Sequence, residues 1–174
     1  DAGGMLNPGA PIEPLVLRAA AGDCIDITLR NQLPANMSDL DGFNTLPPII
    51  EDFNANQITP SNKVGLHPQL VSYDVTKSDG TNVGGNRIQT VSPSDKAPKK
   101  YRWYAGDVKL ENGLLVATPI EFGATNLIPA DPIEQTSKGA VAALIIEPEG
   151  ATWAEDPGTR TSATPATSAA ARRA

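Results

Sequence analysis

Two side chains with metal-binding or nucleophilic chemistry occur once each in this chain, the cysteine Cys24 and the histidine His67. A mononuclear copper site for electron transfer uses two imidazoles, one thiolate and a weak axial ligand. Zinc sites draw on three or four Cys, His or carboxylate ligands. One imidazole and one thiol are too few for this copper site, for a multinuclear copper centre or for a zinc site built from histidines. The sequence therefore predicts that this chain alone holds no complete copper centre and no histidine-rich zinc centre.

Cys24 follows the predicted turn Gly22-Asp23 and begins a predicted strand, with Asp26 on the same face. A neighbouring carboxylate disfavours the negatively charged thiolate, which is the form that attacks substrates and binds metals. A free cysteine also packs as a small apolar side chain. We therefore interpret Cys24 as a structural strand residue.

His67 directly precedes Pro68, which favours an extended backbone, and it is flanked by Leu66 and Leu70. This context favours a buried imidazole that is hydrogen-bonded to a backbone carbonyl. The alternative is a metal ligand, and His67 is the only candidate ligand that the sequence offers. A Ser-His-Asp triad would need this same histidine, and no G-x-S-x-G motif is present. We predict no catalytic residue and no cofactor-binding residue.

Acidic and polar motifs give weaker signals. The segment DLDGFN at 39–44 resembles an acidic calcium loop, but it lacks the later bidentate glutamate of a hand-type loop. Glu51 and Asp52 are adjacent, so on a strand they would point to opposite faces and would not share acid–base chemistry. The tripeptide at 36–38, Asn-Met-Ser, matches a glycosylation sequon.

Charge and composition exclude several classes of function. The chain has 174 residues and a net charge of −6, with no pronounced basic patch, so we expect no nucleic-acid partner. No stretch approaches the ~20 apolar residues that span a bilayer, so no membrane span is predicted. A single cysteine permits no internal disulfide. Because the chain opens on Asp1, we interpret it as a processed product or a piece of a longer protein.

The hydrophobic pattern predicts an all-β chain. CIDITLRN at 24–31 and KYRWYAG at 100–106 alternate apolar with polar residues, as strands with one buried face do. GAVAALIIEP at 139–148 is largely apolar, which indicates a central strand covered on both faces. Roughly seven to nine strands predict a Greek-key β-sandwich or barrel with long loops. The domain is expected to cover residues 1–157, followed by a Thr/Ala/Pro-rich linker or tail at 158–174.

Five blocks of the sequence carry a likeness to a known family. They are PLVLRAAAGDCIDITLRNQLP, VGLHPQLVSYDVTKSDGTNVGGN, YRWYAGD, EFGATNLIPADPIEQTSKGAVAALIIEP and GATWAEDPGTR. In this order they resemble one cupredoxin domain of a multicopper oxidase, of the large multidomain bacterial type that oxidises manganese. The resemblance covers most of residues 10–160 and implies a cupredoxin-like fold.

The departures from that family concern its copper ligands. Copper-binding domains carry a His-x-His pair where this chain has LHPQ, so His67 fits the first position and Gln69 stands at the second. A second His-x-His pair belongs shortly before the late core strand, and no histidine occurs there. The cysteine with flanking histidines is also missing, and Cys24 lies in a different strand. The resemblance thus implies the fold and a copper-containing parent, with no copper in this chain alone.

We therefore expect a copper-free structural domain whose partners are sibling cupredoxin domains or subunits. The parent would couple one-electron oxidation of a reductant, with Mn(II) as one candidate, to reduction of oxygen to water. The long connection at 34–62 would supply interdomain contact surface. The resemblance implies an extracellular, periplasmic or cell-surface location.

Two rival hypotheses stay open. The first is a stand-alone extracellular β-sandwich that serves binding or assembly without redox activity, since a fold does not determine function. The second is a complete small copper enzyme, which the count of ligands disfavours. A metal site shared between subunits through His67 would revive it.

Overall fold

The structure, a computed structural model, describes residues 14–33, 35, 61–132, 134–137, 139–155 and 163–166. Within this part of the chain, eleven strands and one short helix are found. The elements are β1 (Leu15–Ala20), β2 (Cys24–Leu29), β3 (Leu66–His67), β4 (Ser72–Tyr73), β5 (Lys99–Tyr104), β6 (Gly106–Glu111), β7 (Leu114–Pro119), β8 (Gly123–Pro129), α1 (Glu134–Ser137), β9 (Ala142–Glu147), β10 (Thr152–Glu155) and β11 (Ala163–Ala166). The predicted all-β class is confirmed.

Two sheets enclose the core. The first has the order β1-β9-β8-β3, in which β1 pairs in parallel with β9 and the other pairs are antiparallel. The second is antiparallel, with the order β2-β5-β4. Two further two-stranded sheets are formed by β6 with β7 and by β10 with β11. This arrangement of packed, mixed sheets agrees with the predicted sandwich or barrel.

The core forms where the alternating strands turn their apolar faces inward. On β5, Tyr101 and Trp103 are 2% and 0% exposed, and their rings stack with centroids 6.2 Å apart. Leu144 and Ile146 of β9 are equally buried and belong to the same cluster. Residues from both sheets therefore share one hydrophobic core, which accounts for the period-two pattern of β2 and β5.

Strand β9 is central, as its apolar sequence predicts, because it lies between β1 and β8. Its two faces are not equally covered. Leu144 and Ile146 are fully buried, whereas Ala143 and Ile145 on the other face are only partly buried. The sequence predicts that both faces of β9 are covered, and the structure buries only one of them completely.

The extended segment around His67 is interrupted. It is divided into β3 and β4 because Pro68 has no amide to continue a ladder and Leu70 adopts a left-handed backbone with φ of 61°. Residues 88–91 contribute only the isolated bridge from Val91 to Val64. Strand β11 lies inside the segment that was predicted to be a linker or tail.

No helix among the described residues is long and apolar enough to cross a membrane.

Candidate functional site

The two predicted donor residues lie in different sheets. Cys24 begins β2 in the second sheet, so it is a strand residue as the sequence predicts, and its side chain is exposed. His67 ends β3 in the first sheet and is partly buried. In the part of the chain that the structure describes, no three His, Cys, Asp or Glu side chains come together as a metal-binding group.

The face of β2 that carries Cys24 is polar, as the sequence predicts. Asp26 accepts two hydrogen bonds from the guanidinium of Arg102, at 2.7 and 2.9 Å, across the β2–β5 ladder. The hydrogen bond from Arg102 lowers the pKa of Asp26. Because both side chains are well exposed, this pair adds little to stability. Cys24 therefore lies on a solvated, charged face of the sheet.

His67 contacts Asp79 and Tyr73 through a hydrogen bond, an ion pair and a ring contact. Its Nδ1 lies 3.0 Å from the backbone carbonyl oxygen of Asp79 and 3.4 Å from the carboxylate Oδ2 of the same residue. Both oxygens accept hydrogen bonds, so Nδ1 carries the proton and, in the neutral ring, Nε2 keeps its lone pair. Tyr73 packs edge-on against the imidazole, with ring centroids 6.1 Å apart. The predicted bond from His67 to a backbone carbonyl is present.

The carboxylate of Asp79 is almost buried, with 9% of its side chain exposed. It accepts hydrogen bonds from the backbone N–H and the hydroxyl of Thr81, and from the hydroxyl of Tyr73 at 3.3 Å. Burial, followed by the charge of Asp79, raises the pKa of the Tyr73 hydroxyl. A buried carboxylate with several donors is the arrangement that makes burial of the charge tolerable.

Two glycines allow β3 to approach this carboxylate. A Cβ placed on Gly65 would collide with the carbonyl oxygen of Gly80, and one on Gly80 would collide with the carbonyl oxygen of Leu66. Gly80 also has a positive φ of 80°. Larger residues would push the two backbones apart, and His67 would lose its bond to Asp79.

Gln89 bonds to the backbone of the turn that contains Asp79 and Gly80, and it is 2% exposed. Its Oε1 accepts the N–H groups of Asp79 and Gly80 at 2.7 and 3.2 Å, and its Nε2 donates to the carbonyl of Val75 at 2.9 Å. Its own backbone carbonyl accepts the hydroxyl of Tyr101 at 2.6 Å. Both ends of this buried amide side chain are therefore hydrogen-bonded.

Two residues of β5 also form hydrogen bonds to this turn, at Ser78. The indole Nε1 of Trp103 donates to the carbonyl of Ser78 at 2.8 Å, and the backbone N–H of Arg102 donates to the Ser78 hydroxyl at 3.1 Å. We call the set His67, Tyr73, Ser78, Asp79 and Gln89 the turn cluster. The sequence identifies His67 as a candidate but gives no indication of the roles of Asp79 and Gln89, because no local pattern marks a residue that bonds to a distant loop.

The turn cluster can hold an imidazole in one tautomer beside a carboxylate. This is how proteins orient a histidine that coordinates a metal or transfers a proton. A metal site or a proton-transfer site would also need a second metal ligand or a nucleophile near Nε2. Among the described residues, the hydrogen bond and the ion pair of His67 both involve Nδ1. The predicted metal role of His67 stays a prediction.

The acidic segment 39–44, Glu51 and Asp52, and the sequon at 36–38 lie outside the described residues. No model of a known protein family matches the chain, and no curated protein matches it at a significant level.

Proposed function

We propose that this chain is a copper-free structural domain of the cupredoxin type within a multicopper oxidase. The parent oxidises a reductant such as Mn(II) one electron at a time and reduces oxygen to water. The copper ligands of the parent belong to sibling domains or subunits, and the protein acts outside the cytoplasm. The observation that carries the proposal is the separation of the only thiol and the only imidazole, on different sheets of an all-β fold.

The residues of this chain do not fit a copper site of its own. A mononuclear copper site that transfers electrons needs a thiolate next to two imidazoles. Here Cys24 is exposed on β2, and the face around it carries the ion pair between Asp26 and Arg102. His67 is bonded through Nδ1 to the backbone carbonyl of Asp79, and Gln69 stands where a His-x-His pair would place a second imidazole.

Copper retention by the purified chain tests the absence of a site. After incubation with copper and exhaustive dialysis, we expect far less than one copper per chain and the same residual amount in His67→Ala and in the wild type. Stoichiometric copper that is lost in His67→Ala would overturn the structural role. It would support a site completed by a second subunit.

A separate experiment tests the parentage. The coding sequence on either side of this chain is determined from its source, and each flank is examined for copper ligands. We expect His-x-His pairs and a cysteine with flanking histidines. A reading frame that lacks these ligands on both sides would contradict the proposal and would favour the stand-alone β-sandwich.

A further inference from the structure

The hairpin formed by β6 and β7, which we call the arm, projects apolar side chains into solvent. Its tip is the turn Asn112-Gly113, in which both residues have positive φ, 51° and 80°. Leu110, Leu114 and Leu115 near the tip are 71%, 71% and 76% exposed. So much exposed leucine on one short element is typical of an interaction surface.

The register of the arm separates an apolar face from a mixed one. Leu110 lies opposite Leu115, and Val108 lies opposite Ala117, so these four side chains share one face. The charged residues of β6 occupy the other face, where Asp107 and Lys109 form an ion pair at 2.6 Å. The arm is therefore amphipathic, and its apolar face is largely uncovered at the tip.

One edge of the arm also has unused backbone groups. The N–H of Val108 donates to the hydroxyl of Ser72 at 3.0 Å, so it points away from β7. In an antiparallel ladder, the backbone N–H and C=O groups of its partner Ala117 therefore point away from β6. The same holds for the backbone groups of Leu115, two residues away. The bond from the N–H of Ile120 to Ala105 agrees with this alternation. Among the described residues, β7 pairs with no strand other than β6.

We propose that the free edge of β7 pairs with β7 of a second copy of this chain. The strands run antiparallel about a two-fold axis, with Leu115 opposite Ala117 of the second copy and Val116 opposite its own counterpart. This register uses the outward N–H and C=O groups of Leu115 and Ala117 in about four intermolecular hydrogen bonds. It also joins the two apolar faces into one continuous surface.

The absence of charge on β7 favours a second copy as the partner. Strand β7 has no charged residue, so two copies meet there without like charges facing each other, although each chain carries −6 overall. Natural edge strands usually carry a lysine or an inward charge that prevents this pairing. Edge pairing buries only the sides of the facing residues Leu115, Val116 and Ala117 and leaves the apolar faces in solvent, so the interface is small and predicts a weak, reversible dimer.

The oligomeric state of the whole chain tests the proposal, with sedimentation velocity from about 1 to 500 μM. We expect a monomer–dimer equilibrium in the wild type and in Ala117→Val, which keeps the outward N–H. Ala117→Pro removes that N–H at an edge position that tolerates proline, and Val116→Glu places two carboxylates opposite each other across the axis. Both variants should weaken dimerisation about tenfold or more.

Val116→Glu also controls for loss of the fold. Val116 lies opposite Lys109 in the arm, so the new carboxylate gains a cross-strand partner within the monomer. Its circular dichroism and thermal unfolding should match the wild type while the dimer is lost. A wild type that stays monomeric throughout, or dimers that are equally tight in all variants, would overturn the proposal. The first result would indicate that the arm is covered by another protein or by another segment of this chain.

Discussion

The imidazole Nδ1 of His67 and the backbone carbonyl oxygen of Asp79 are 3.0 Å apart, and this contact joins the edge of the first sheet to the turn cluster. A carbonyl oxygen only accepts hydrogen bonds, so the contact fixes which ring nitrogen carries the proton. The same contact leaves the lone pair of Nε2 unused by Asp79. It therefore defines both the structural role of the histidine and the atom through which any metal would bind.

The first prediction concerns this tautomer. In the neutral ring, we expect His67 to be protonated at Nδ1 and unprotonated at Nε2, the opposite of the tautomer that free histidine prefers. Because the chain has a single histidine, long-range ¹H–¹⁵N correlation spectra report it without ambiguity. A ring protonated at Nε2 would mean that the bond to Asp79 is absent in solution.

The second prediction concerns the close approach of Gly80 to β3. Gly80→Ala should lower the free energy of unfolding by about 2 to 4 kcal/mol, because the new Cβ meets the carbonyl of Leu66 and the positive φ is strained. Gly84→Ala is the matched control, since Gly84 also has a positive φ, of 52°, but a Cβ added there would have nothing within 4 Å. It should cost only about 1 kcal/mol. Urea unfolding measures both, and equal losses would show that strain alone accounts for the effect.

The third prediction uses the buried amide of Gln89. Gln89→Glu keeps the shape and the acceptor for Asp79 and Gly80, but an ionised carboxylate cannot donate to the carbonyl of Val75. We expect a loss of about 2 to 4 kcal/mol at neutral pH.

Acid should partly rescue that variant. Burial favours the protonated carboxyl, so its pKa in the folded chain rises above the unfolded value. The protonated form also supplies a hydroxyl for Val75. The stability difference from the wild type should therefore be smallest at low pH and should grow as pH rises. A difference that does not depend on pH between about 4 and 8 would contradict the burial of this side chain.

The sequence is sufficient to predict the parts of this fold that depend on local periodicity. The alternation in β2 and β5 identifies Ile25, Tyr101 and Trp103 as inward-facing residues, and Asn112-Gly113 identifies the hairpin turn. Each of these signals arises from the two-residue period of a strand or from the need for a positive φ in a tight turn.

The sequence is not sufficient for features that depend on distant contacts. Gln89 forms its bonds to residues 75, 79 and 80 through a loop, and nothing in its neighbours indicates that. The exposure of Cys24 depends on which strand lies beside β2 and what covers that face. The break between β3 and β4 depends on the left-handed backbone of Leu70, a residue type that rarely adopts it.

The last prediction concerns alkaline pH and Tyr101. Burial raises the pKa of the Tyr101 hydroxyl from the ordinary value of 10.0 to about 12. Below about pH 10 both the folded and the unfolded chain keep the proton, so the full contribution to stability is present. Between about pH 10 and 12 the unfolded chain loses the proton first, and the free energy of unfolding falls as pH rises.

Tyr101→Phe isolates this contribution. The variant loses the hydrogen bond to the carbonyl of Gln89, so near neutral pH it should be less stable than the wild type by about 1 kcal/mol. It has no hydroxyl to titrate at this position, so its stability should fall less steeply above about pH 10 and the two curves should converge. Parallel curves for wild type and Tyr101→Phe, measured by urea unfolding, would show that the Tyr101 hydroxyl is not buried in solution.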